Sequence, residues 1–146
     1  MPTLLSDADR AQIVARLRRV TPDRGPLWGT LTAPRMLCHV ADQLRVATGI
    51  IIGRHRDSLV RRTVIKWLVI YSPLEAPPGK VQTVPEMLST ASTTWLVDLA
   101  TCERLIEEVG RGRANGRHPA FGPLSAHEWG RLSWKHLDHH LRQFGE

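Results

Sequence analysis

Cysteine is nearly absent from this sequence. Only Cys38 and Cys102 occur, far apart and without a CxxC spacing. That leaves no disulfide framework and no cysteine cluster for a metal, and it points to a reducing, cytoplasmic setting. Cys38 adjoins His39, but a lone cysteine on a helix reads as a small hydrophobe. Long apolar runs are missing too. No stretch reaches the roughly 18 consecutive apolar residues that a membrane span needs. The nearest candidate, residues 63–74, is interrupted by Lys66 and Pro73. The first residues, Met1-Pro-Thr-Leu-Leu-Ser-Asp-Ala-Asp, are acidic and lack a basic start, so they do not read as a secretory signal. Internal repeats, low-complexity tracts and strand-like alternation are also lacking.

What remains has an ordinary globular composition, 42% hydrophobic and 23% charged over 146 residues. That suits one domain, residues 1–146, with a core large enough to need no disulfide staples. The net charge is +6, which raises the question of nucleic acid. Only three of the 20 basic residues are lysines, and the arginines are scattered over most of the chain. No zinc-finger spacing, RNP-like segment or helix-turn-helix pattern accompanies them. The charge therefore reads as an arginine-rich solvated surface, and neither nucleic acid nor membrane is an expected partner.

Helical periodicity dominates. Residues 6–20 read as a first helix, with Ser6 as N-cap and Ile13, Val14, Leu17 and Val20 as its apolar stripe. Thr32 caps a second helix that tolerates Pro34 in its first turn and runs to about Gly49–Gly53. Met36, His39, Val40, Gln43, Val46, Ala47 and Ile50 share one side of it. A further helix is expected over residues 55–71. A proline-rich crossover follows over residues 72–85. Trp95, Leu99, Cys102, Ile106 and Val109 mark a helix that ends near Gly110–Gly112. Ser125-x-x-Glu128 is a capping box that opens the last helix, which continues to about Phe144. Four long helices, an extra helical segment and a crossover predict an all-α antiparallel bundle.

Histidines are concentrated at the end of the chain, where His136, His139 and His140 fall within five residues. At about 100° per residue, with His136 at zero, His140 lies about 40° away, Trp129 about 20° and Gln143 about −20°. Arg131, Lys135, Asp138 and Arg142 gather on the opposite side, at about 200–260°. His136 and His140 are thus central on the buried face, and His139 lies at its edge. Two imidazoles at i and i+4 point the same way and can chelate one ion. The other reading is a pair of core histidines satisfied by hydrogen bonds. A metal site also needs a third ligand from another helix. His39 is the remaining histidine placed centrally on an apolar helix face. His55, His118 and His127 sit in a turn, before a proline and on the polar side of the last helix, and read as surface histidines.

These residues coincide with longer motifs: Arg16-Leu-Arg-Arg-Val-Thr-Pro-Asp-Arg-Gly-Pro-Leu-Trp-Gly-Thr-Leu-Thr-Ala, Met36-Leu-Cys-His-Val-Ala-Asp-Gln-Leu, His118-Pro-Ala-Phe-Gly-Pro-Leu-Ser-x-x-Glu-Trp and Lys135-His-Leu-Asp-His-His-Leu-Arg-Gln-Phe-Gly. In them the chain resembles the DinB/YfiT-like superfamily of metal-binding four-helix bundles, closest to an uncharacterised bacterial branch. The resemblance spans nearly the whole chain and is weak between residues 50 and 115. It implies an up-down-down-up four-helix bundle with a long crossover. It also implies a divalent metal held by one histidine of the second helix and an HxxxH pair of the last, here His39, His136 and His140, with His139 outside the ligand set. Members of the superfamily include metal-dependent transferases and isomerases that use a low-molecular-weight thiol, and the resemblance implies such a cosubstrate here.

Three neutral imidazoles leave open positions on Zn²⁺ or Ni²⁺. The site can then acidify water or hold a thiolate. The expected function is a metal-dependent transferase or hydrolase for a small-molecule substrate; the alternative is a non-catalytic binding or stress-response bundle. Trp28, Met36, Gln43, Phe121 and Trp129 are candidate pocket walls, and Asp98 and Glu103 candidate bases. A homodimer is the expected assembly. With unperturbed histidine pKa values of about 6.5, acidification to about pH 5.5 is expected to release the ion.

Overall fold

The computed structural model describes residues 1–73 and 85–146 of the chain. Among these the protein is mostly helical, with α1 (Asp7–Leu17), α2 (Ala33–Ala47), α3 (Lys66–Tyr71), α4 (Trp95–Gly110) and α5 (Ala126–Gln143). A π-helical turn, Arg61–Ile65, leads into α3, and a 3₁₀ turn, Pro85–Leu88, precedes α4. A two-residue antiparallel ladder joins β1 (Arg117–His118) to β2 (Gly122–Pro123), with His118 opposite Gly122. No described helix is long and apolar enough to cross a membrane.

Side-chain caps open α1 and α5, whereas Thr32 stands at the N-cap position of α2 without a side-chain cap bond. Ser6 accepts from the Asp9 N–H at the head of α1. At the head of α5, the Ser125 N–H donates to the Glu128 carboxylate at 2.8 Å and the Glu128 N–H donates to the Ser125 hydroxyl at 3.2 Å. Ser125→Ala is expected to cost about 1 kcal/mol, read as a lower midpoint in denaturant with an unchanged slope; no change would mean that packing alone fixes the start of α5.

Helix α2 lies at the centre. Its residues from Met36 to Leu44 are all buried, and it packs against α4, α5 and the 3₁₀ turn. Ile13 and Leu17 of α1, Cys102, Leu105, Ile106 and Val109 of α4, and Trp129, Leu132, Leu137 and Leu141 of α5 complete one hydrophobic cluster around it. Just beyond α2, Gly116 meets the helix end backbone to backbone. Its N–H donates to the Ala47 carbonyl at 2.8 Å, and a Cβ there would fall 1.9 Å from the Val46 oxygen.

Three expectations need correction. Helix α2 stops at Ala47 rather than near Gly49–Gly53, because Gly49 turns left-handed at φ 79°. Ile50 is consequently 61% exposed instead of lying on the apolar face. The helix expected over residues 55–71 starts later and is not regular: helical backbone runs over residues 59–71 through the π turn into α3, and only Ile70 of Arg61–Tyr71 is buried. Most of the expected proline-rich crossover, residues 74–84, lies outside the described residues.

Candidate metal centre

The face periodicity of α2 and α5 sets where the histidines meet. His39 projects from the middle of α2, and His136 and His140 project one turn apart from α5. One nitrogen from each lies within 4.8 Å of the others, so the three can hold a metal ion. Their ring centroids form a nearly equilateral triangle with sides of 4.7, 4.7 and 4.8 Å. Tetrahedral zinc with bonds of about 2.0–2.1 Å sets nitrogen separations of about 3.3 Å. The Nε2 atoms of His39 and His136, 2.9 Å apart, must therefore open slightly, and the widest pair must close. His39 is buried, while His136 and His140 keep partial exposure.

Hydrogen bonds fix two of the three rings. The Nδ1–H of His39 donates to the Met87 carbonyl at 2.8 Å. The Nδ1–H of His140 donates to the Gln143 side-chain oxygen at 2.8 Å, and the amide nitrogen of Gln143 donates to the Trp28 carbonyl. Both rings therefore carry their proton on Nδ1 and present a bare Nε2 lone pair. Burial drives all three pKa values down. The His39 value is lowered by removal from water, opposed in part by the Met87 hydrogen bond. His136 falls well below the ordinary range, through burial and then the neighbouring His39 and His140. His140 falls to about 3, through burial and then His39. The unprotonated form that a metal requires is thus the resting form of each ring.

The candidate wall residues divide into two groups. Met36 and Gln43 are buried on α2, one turn to either side of His39. Trp28 meets His139 edge-on, with centroids 5.9 Å apart. Phe121 and Trp129 gather around His118, at 4.3 and 5.5 Å between centroids, and the Trp129 indole N–H donates to the Gly116 carbonyl. His139 is absent from the converging set.

His118 is not the surface histidine that its sequence position suggests. Its Nδ1 accepts from the backbone N–H groups of both Ala120 and Phe121 at 3.1 Å, and burial lowers its pKa to about 4. His55 and His127 are exposed as expected. The two candidate bases are engaged elsewhere. Asp98 accepts from Ser92 and Thr93 at the head of α4, and Glu103 pairs with Arg18 at 2.7 Å. Sequence reasoning missed Asp42, a fully buried carboxylate. It accepts from the Thr90 N–H at 2.9 Å and from the Arg45 guanidinium at 2.7 Å. With Met87 it ties residues 87–90 to α2 beside His39.

The structure thus defines a mostly helical protein with a three-histidine cluster between α2 and α5. Residues 48–146 match the model of a family described as protein of unknown function (DUF1569), and the chain belongs to that family. His136 and His140 fall inside the matched residues, and His39 precedes them. No curated protein and no solved structure gives a significant match.

Proposed function

We propose that His39, His136 and His140 hold one divalent ion, Zn²⁺ or Ni²⁺, and that the protein is a metal-dependent enzyme for a small-molecule substrate. The reaction class is transfer involving a low-molecular-weight thiol, or hydrolysis. One observation carries the reading: one nitrogen from each of the three imidazoles lies within 4.8 Å of the others, and the two rings that donate through Nδ1 keep Nε2 as a lone-pair nitrogen where burial disfavours protonation. Neutral nitrogen donors in this number suit zinc or nickel. When bound, such an ion supplies open positions that acidify water or a thiol. The chain's own residues hold the ligand rings, through Met87 for His39 and Gln143 for His140.

We also propose that this family is a branch of the DinB/YfiT-like superfamily, with the four long helices in up-down-down-up order and a cytoplasmic setting. The support is the set of motifs around His39, His118 and His136–His140, and the packing of α1, α2, α4 and α5 about one core.

A non-catalytic metal-binding bundle is the second reading. It is favoured by the absence of any carboxylate from the histidine cluster among the described residues, and by the engagement of the nearby Asp42 with Thr90 and Arg45. Elemental analysis of the purified chain, then conjugation assays pairing thiols with a panel of electrophiles, separates the two. About one equivalent of metal per chain, with turnover that a chelator abolishes, is the expected result. Metal without turnover leaves the binding bundle as the account, and no metal ends both metal readings.

A further inference from the structure

Two buried polar atoms near the histidines have no hydrogen-bond partner among the described residues: Nδ1 of His136 and Oε1 of Gln43. Gln43 is 2% exposed and follows His39 by one turn on α2. Its amide nitrogen donates to the Ser133 hydroxyl at 3.1 Å, and Ser133 precedes His136 by one turn on α5. Helix side chains lean towards the N-terminus. The Gln43 amide therefore sits at the turn of α5 towards which the His136 ring leans. A buried polar atom left unsatisfied is costly, so two beside the same pair of helices call for a physical reason.

The positions of the ring protons supply one. His39 has its proton on Nδ1, bonded to the Met87 carbonyl, so its Nε2 can only accept. In the 2.9 Å contact between the two Nε2 atoms, His136 is then the donor. Neutral His136 therefore carries its proton on Nε2 and a bare lone pair on Nδ1. The Gln43 oxygen is an acceptor as well, so the two unpartnered atoms cannot satisfy each other in this state. Coordination of His136 through Nε2 reverses the arrangement. The Nε2 proton leaves to solvent, Nδ1 takes one up, and the ring stays neutral with an unchanged proton count. Nδ1–H is then a buried donor that needs an acceptor.

We propose that Gln43 is that acceptor: in the metal-loaded protein its Oε1 takes the Nδ1–H of His136, which makes Gln43 the positioning residue for this ligand and for its tautomer. The inference rests on the metal-binding reading. It completes a consistent set, in which the Met87 carbonyl, the Gln143 amide oxygen and the Gln43 amide oxygen each hold the Nδ1–H of one ligand. All three are uncharged oxygens, so this surrounding layer fixes ring orientation without offsetting the charge of the ion.

The test compares the full chain with Gln43→Leu, which keeps the bulk and loses the acceptor, and Gln43→Glu, which keeps an acceptor. Zn²⁺ affinity is read by competition with a chromophoric chelator, and the His136 ring protons by ¹⁵N-edited NMR of the zinc-loaded protein. Gln43→Leu is expected to bind zinc about 10–100-fold more weakly, with Gln43→Glu at or above the wild-type affinity. A slowly exchanging Nδ1–H on His136 is expected in the wild type and in Gln43→Glu. Zinc-loaded wild type with the His136 proton on Nε2, or Gln43→Leu binding zinc within about twofold of wild type, would overturn the proposal. Should Gln43→Leu fail to fold in chelator-treated melts, Gln43→Glu and the wild-type NMR spectrum still decide it. Wild-type protein that takes up no zinc would instead overturn the underlying metal-binding reading, a distinguishable result.

Discussion

His140→Ala is expected to abolish stoichiometric metal binding while the helical fold persists. His140 supplies one of three nitrogens within 4.8 Å of one another. Removing it leaves two ligands on separate helices, so the affinity loss should exceed the roughly 10–100-fold typical when only a supporting group is lost. The fold should survive because His140 is partly exposed and its polar partner Gln143 keeps its bond to the Trp28 carbonyl. His39→Ala is a less clean test, since it hollows out the middle of α2 and leaves the Met87 carbonyl without its donor. His139→Ala is the matched control. His139 lies next in sequence and its ring centroid is 5.2 Å from that of His140, yet it contributes no nitrogen to the converging set. Elemental analysis and chelator competition on both variants check the assignment. A metal content that survives His140→Ala and disappears in His139→Ala would mean that the ligand set has been misassigned.

The parts of this site legible in the sequence are those governed by short-range periodicity. His136 and His140 share a face because four residues make about one helical turn, and His39 is central on α2 by the same count. The capping box at Ser125 and Glu128 fixed the register of α5 from four residues. Contacts between distant segments left no such trace. Asp42 carries no sequence mark of its role, because beyond the neighbouring Arg45 it is held by Ser89 and Thr90, 47 and 48 residues away. The Met87 carbonyl that orients His39 comes from the same stretch, and a backbone oxygen has no sequence signature at all. His118 was misread because a residue before proline suggests an exposed turn. The chain instead folds back into the β1–β2 ladder and delivers two N–H groups to its ring. A signal for Gln143 was available: a glutamine at i+3 from His140 stands where an i, i+3 hydrogen bond forms.

Metal should raise the melting temperature at pH 5.5 as well as at pH 7.5, and the structure rather than the sequence leads to this result. Unperturbed imidazoles would lose the ion over that interval, because protons would compete at about pH 6.5. In the folded protein all three ligand pKa values are lowered, that of His140 to about 3. Protons therefore compete weakly at the native site at pH 5.5, and acid acts mainly on the unfolded chain. The sign follows from proton linkage. A histidine with a depressed native pKa contributes its full stability above about pH 6.5, and loses it as pH falls towards the native value, because only the unfolded chain binds the proton. His136, His140 and the buried His118, whose pKa is lowered to about 4, should each lose on the order of 1 kcal/mol between about pH 7.5 and 5.5, and His39, whose pKa is also lowered, contributes in the same direction. Metal-free protein should accordingly melt at a clearly lower temperature at pH 5.5. Zinc at a thousandfold excess over its Kd contributes about 4 kcal/mol, which corresponds to a rise of roughly 10 °C or more. Calorimetric melts with chelator and with zinc at both pH values measure each quantity. Superimposable melts at pH 7.5, together with elemental analysis that finds no ion, would rule out the metal centre. A zinc-dependent rise at pH 7.5 that vanishes at pH 5.5 would instead keep the metal and refute the burial argument, since the ligand rings would then have to titrate in the folded protein between those two values.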